Sequence, residues 1–194
     1  MKKSYHAQIE RMAGIALLSA IIVVLQLLAG TIRIGPVSFS LVLIPIVVGA
    51  AFYGPTAGAI LGAVFSIVVI FQPDTELFHS ITVIGTIVTV FAKGVLSGLC
   101  AGLTYRLISR KSEIAAVFAS AVVCPVVNTG VFFLGCRVFF WTGLAEEYGV
   151  AANRMMTFFI TTLIGVNFLA ELAINLVLSP GIAVTLRAVR RNRK

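Results

Sequence analysis

Apolar runs broken only by small residues or an isolated polar group alternate along the chain with short polar stretches that hold most of its charges. The runs cover about 12–29, 37–52, 56–71, 81–105, 114–141 and 155–178. A membrane span takes roughly 20 apolar residues. The pattern therefore predicts six transmembrane helices with short connections in the 194 residues, and no sizeable soluble domain. The expected fold is all-α, a single six-helix membrane domain over 1–194.

The second and third runs form the centre of this plan. No charge occurs between Gly35 and Gln72, and Tyr53-Gly54-Pro55 turns one run straight back on the other. The third run carries Gly54, Gly58 and Gly62 at four-residue spacing, with Ala59 and Ala63 beside them. Small residues at that spacing let helix backbones approach closely, which matters where lipid gives little drive for association. Such a stripe either packs helices alone or also shapes a cavity.

Composition agrees. Hydrophobic residues make up 59% of the chain and charged ones 11%, with a mean hydropathy of +1.07, against about a quarter charged in soluble domains. The first run, after MKKSYHAQIER, is long enough to span and reads as an uncleaved first helix rather than a signal peptide. Cys100, Cys124 and Cys136 lie in apolar segments without metal-ligand spacing and read as small core residues.

The net charge of +8 does not point to nucleic acid, because the bases sit at helix ends. With both termini in the cytoplasm, the inner face collects Lys2, Lys3, Arg11, Arg106, Arg110, Lys111, Arg187, Arg190, Arg191, Arg193 and Lys194. The outer loops keep Arg33, Arg154 and the acids Asp74, Glu76, Glu146 and Glu147. That bias fits the positive-inside rule with six spans.

Polar residues inside spans are the candidates for chemistry. Lys93 lies about 18 Å of helix from either end of its span, where a lysine costs about 2.5–3.5 kcal/mol on insertion scales. Either it forms a structural ion pair, with Glu171 the only acid well inside a later span, or it awaits an anionic or carbonyl-rich ligand. Asn128 and Asn167 lie at similar depth in spans five and six. Asn167, Glu171 and Asn175 share a helix face by i, i+4, i+8 spacing, and buried amides need partners. They either bond between helices or line a cavity. Arg137 stands nearer the outer end of span five, where it can snorkel or join a site. No phosphate-binding loop, no H-E-x-x-H and no serine with a histidine at its depth is present, which argues against an ATPase or intramembrane enzyme. No metal or cofactor is expected.

A first-helix A-x-x-x-A pair (Ala16, Ala20), the run LIPIVVGAAFYGPTAGAILGAVF and six spans in under 200 residues resemble the substrate-binding S-components of energy-coupling factor vitamin transporters. The resemblance implies a vitamin pocket open to the outside, formed by the outer halves of spans four to six under the first loop. It implies a membrane coupling protein and two ATPases as partners, a bacterial plasma-membrane location, and toppling of the whole subunit to deliver its load. Ala16 and Ala20 fall where the family's first helix meets the coupling protein; Lys93, Asn128 and Asn167 fall on spans that contact ligand. The Val42–Phe65 run looks most like the pantothenate type, with riboflavin and folate types as alternatives. A ligand-free membrane structural or assembly protein is the competing class.

Overall fold

A computed structural model describes residues 2–29, 33–34, 37–38, 41–151 and 153–192. Helix α1 spans Lys2–Ala29, and a two-residue antiparallel pair follows, β1 (Arg33–Ile34) with β2 (Val37–Ser38), Ile34 facing Val37. Then come α2 (Leu43–Tyr53), α3 (Pro55–Ile70), a 3₁₀ turn (Pro73–Thr75), α4 (Glu76–Ile81), α5 (Val83–Ile108) and α6 (Glu113–Gly135). A π-helical stretch, Cys136–Phe140, leads into α7 (Trp141–Glu147); α8 (Met155–Phe158), a second π-helical stretch (Phe159–Ile164) and α9 (Gly165–Asn192) close the chain.

The described residues are almost wholly helical. Among the described residues four helices are long and apolar enough to cross a membrane: Gln8–Ala29, Val83–Ile108, Glu113–Glu147 and Phe168–Leu186. Pro55–Ile70 and Pro73–Ile81, bent by 79° at their break, make a fifth candidate if taken together. Leu43–Tyr53, at 11 residues, rises only about 16 Å, roughly half of a hydrocarbon core. The second run is thus shorter than its apolar pattern predicts. Pro45 falls in the first turn of α2, where its missing N–H costs no helical bond, and so marks the start of the helix instead of lying inside it.

Gly54 turns α2 into α3 with φ of 92°, a conformation that favours glycine, and Pro55 takes the first helical position. At the other end of α3 the segment expected as a polar loop is the 3₁₀ turn and α4. Thr75 Oγ1 bonds the carbonyls of Val69, Ile70 and Gln72 there, which satisfies the end of α3. Buried Gln72 also ties this bend to α1: Gln26 Nε2 donates to Gln72 Oε1 at 2.7 Å, and Gln72 Nε2 donates to the Gln26 carbonyl at 2.6 Å.

Ser179-Pro180-Gly181, which follows the sixth apolar run with a proline and a glycine, does not end α9. Pro180 leaves the Leu176 carbonyl without its helical donor, and Ser179 Oγ donates to that oxygen at 2.7 Å. The helix continues because the orphaned acceptor is satisfied locally.

Packing centres on α5, which lies between α3 and α6. A core of α2, α3, α5, α6 and the end of α9 is built from Ile46, Leu61, Phe65, Val117, Cys124 and Leu186, among others. A second, aromatic core gathers Phe78, Phe140, Leu144, Met155 and Phe159. Large apolar side chains such as Ile84, Leu107, Val138 and Val177 are exposed on the outside of the bundle, the surface that a bilayer covers.

Candidate functional site

The site grows out of the two seams of α5. On the α3 side, Gly58 faces Gly98 and Gly62 faces Gly94 so closely that a Cβ on any of the four would strike the opposite carbonyl. One turn further, Ser66 Oγ donates to the Val90 carbonyl at 2.8 Å and to its own Gly62 carbonyl at 2.9 Å. The pairs 58·98, 62·94 and 66·90 step by four residues along antiparallel helices and hold α5 in fixed rotation.

That rotation sets what α5 shows to α6. Ser120 Oγ donates to the Ala101 carbonyl at 2.9 Å, and Ser97 lies against Cys124. One further step of four on each helix brings Lys93 level with Asn128. Helical side chains lean towards their own N-terminus, and Lys93 Nζ accordingly reaches the Phe132 ring, 4.9 Å from its centroid, and the Phe65 ring at 5.8 Å. Among the described residues no carboxylate forms an ion pair with Lys93.

Phe132 also belongs to the aromatic cluster, with Phe78 edge-on to it at 5.6 Å and to Phe140 at 5.2 Å. Phe159 meets Phe133 edge-on and lies parallel to Trp141 at 5.8 Å. The two π-helical stretches supply Phe140 and Phe159. Such stretches shift helix register and occur often at functional sites. At the rim, Tyr148 packs on Phe158; partial burial, and then the Glu147 carboxylate, push its hydroxyl pKa up.

The structure therefore brings Lys93 and Asn128 to one level. Glu171 and Asn175 are buried on one face of α9, where Asn175 Nδ2 donates to the Glu171 carbonyl at 2.8 Å. The Asn167 side chain lies outside the described residues. Arg137 is exposed, its guanidinium 4.6 Å from the Trp141 ring, and the structure does not carry it to Lys93. Ala16 and Ala20 are exposed on α1, whereas Ile22 and Gln26 turn inward.

Sequence reasoning missed Phe65, Phe132 and Thr89. The phenyl rings give no polar signal in an apolar run, and Thr89 is marked only by its place one turn before Lys93. An apolar groove of about 320 Å³ between α1, α2 and α9, lined by Leu18, Ile21, Leu25, Ile44, Val48 and Leu178, offers no polar group to a ligand.

The model of the family described as "ECF transporter, substrate-specific component" matches residues 10–183. No curated protein and no solved structure matches the chain.

Proposed function

We propose that this chain, which belongs to the family of ECF transporter substrate-specific components, binds a vitamin from outside the cell, and that the vitamin is pantothenate. Family membership makes it a substrate-binding transport subunit, not a catalyst, working with an ECF module of coupling protein and ATPases. The finer reading is our own. It places the chain in a bacterial plasma membrane, with six crossings and both termini inside, on the strength of the basic clusters at 2–11, 106–111 and 187–194. In it α2 and α3 each count as a crossing despite their length.

The observation that carries the ligand reading is Lys93: a cation in mid-helix, between phenyl rings, level with a buried amide. A cation–π contact offsets part of its desolvation, and a carboxylate arriving from outside offsets more. Asn128 would take the ligand's hydroxyl or amide, with Asn167 and Glu171 on α9 closing the site and Arg137 acting at its rim. The aromatic rings beside Lys93 favour a second reading, a ring-bearing vitamin such as riboflavin or folate.

Docking to the coupling protein would use the exposed Ala16 and Ala20, whose small side chains admit a close helix. Ala16→Trp or Ala20→Trp should abolish pantothenate uptake in cells while purified protein still binds pantothenate. Binding lost together with uptake would show that the stripe is internal packing, and wild type that binds no pantothenate would sink the ligand reading. A reporter fused after Lys194 that is active outside the cell would overturn the topology.

A further inference from the structure

The hydroxyls of Thr86 and Ser97 on α5 are satisfied by their own helix, and that of Thr89 is not. Thr86 Oγ1 donates to the Thr82 carbonyl at 2.8 Å, and Ser97 Oγ donates to the Gly94 carbonyl at 2.8 Å. Thr89, 3% exposed, has no hydrogen-bond partner for its Oγ1. The backbone bond that its neighbours make one turn back is forgone, which leaves a buried hydroxyl unpaired at a cost in stability. A group left so in a folded protein calls for a reason.

Its position supplies one. Thr89 stands four residues before Lys93 on the same face of α5. Its side chain lies against Gly135 of α6, where a Cβ would collide with it. Gly135 is one turn beyond Phe132, whose ring the Lys93 ammonium approaches, and two turns beyond Asn128. Asn128 is 7% exposed, and its Oδ1 likewise has no partner. The seam between α5 and α6 is thus satisfied at Ala101·Ser120 and holds a cation and two unpartnered oxygens from Lys93 to Thr89.

We propose that Thr89 contacts the transported molecule alongside Lys93 and Asn128, and that this molecule is a small anion carrying an N–H or O–H donor next to its negative group. The ammonium takes the anionic end, the Asn128 oxygen accepts from the donor, and the Thr89 hydroxyl completes the shell by donating or accepting. Pantothenate, with a carboxylate, an amide N–H and hydroxyls, meets this requirement. The inference rests on the reading of the chain as a vitamin-binding subunit.

The test is pantothenate titration by calorimetry of the full-length protein in detergent, as wild type, Thr89→Val and Thr89→Ser, with melting of each in the absence of vitamin. Valine keeps the shape and removes the unpaired hydroxyl. It should weaken pantothenate about ten-fold and leave the vitamin-free melting temperature unchanged or higher. Serine should stay within about three-fold of wild type, since it restores the hydroxyl. Undiminished affinity in Thr89→Val overturns the proposal. So does a serine variant as weak as valine, or a fall in vitamin-free melting that parallels the lost affinity, because each assigns Thr89 to packing. If wild type binds folate instead, the pantothenate reading fails and Thr89 is judged by the same criteria on folate; binding of riboflavin, which is uncharged, overturns the assignment of an anion to Lys93. Wild type that binds none of the three overturns both.

Discussion

Helix α5 has two long seams of opposite character. Towards α3 it is all backbone: glycine meets glycine, and Ser66 bonds across to Val90. Among the described residues no buried side-chain oxygen of this seam is left unpartnered. Towards α6 the half near Ala101 is sealed by Ser120, whereas the half near Thr89 holds Lys93, Asn128 and phenyl rings, with two oxygens unpartnered. In a bilayer each unsatisfied polar group is costly, so the contrast separates a seam built for cohesion from one whose satisfaction is deferred. The tight seam also serves the open one. By fixing the rotation of α5 it aims Lys93 at Phe132 and away from lipid.

The largest expected effect comes from breaking the tight seam. Gly62→Ala sets a methyl group against the Gly94 carbonyl, and backbone cannot yield as a side chain end can. Stability should fall by about 1–3 kcal/mol, measured by melting in detergent, with pantothenate affinity lost as α5 turns. A variant as stable as wild type would mean that the seam is looser than described.

A smaller and more selective effect is expected in the open seam. Lys93→Met should cost pantothenate about ten- to a hundred-fold in dissociation constant, the worth of a charge-assisted bond, and leave melting nearly unchanged. If Glu171 is instead the permanent partner, the substitution strands a carboxylate. Melting then falls, affinity holds, and adding Glu171→Gln restores the loss. That outcome would remove Lys93 from the ligand site.

The smallest effect is expected at Gly130, on the lipid side of α6, where a Cβ meets nothing within 4 Å. Gly130→Ala should be neutral or stabilise by up to about 1 kcal/mol through helix propensity. A marked loss of stability there would show that an unseen contact covers this face of α6.

The comparison also explains what was legible in the chain. The Tyr53-Gly54-Pro55 turn and the glycine stripe were readable because their chemistry is local: a positive φ and a small residue every four positions announce themselves. Lys93 and Asn128 were readable as polar breaks in apolar runs. Their surroundings were not, since Phe65 and Phe132 look like any lipid-facing ring until helix rotation is known. Helix ends misled for a related reason. Pro45 and Pro180 look alike in an apolar pattern, yet one stands in a first turn and the other is spanned by Ser179. Gln26 and Gln72, 46 residues apart, show their partnership only in the folded chain.

That glutamine pair has a mechanical consequence. Its two hydrogen bonds, buried away from water, pin α1 to the elbow between α3 and α4, so α1 cannot slide along its axis without leaving amides unpaired in a medium that offers no substitute. The elbow leads directly into α4, whose Phe78 leans on Phe132. Contacts therefore run unbroken from α1 through the elbow and Phe78 to the Phe132 ring beside Lys93, joined as a handle is joined to a latch.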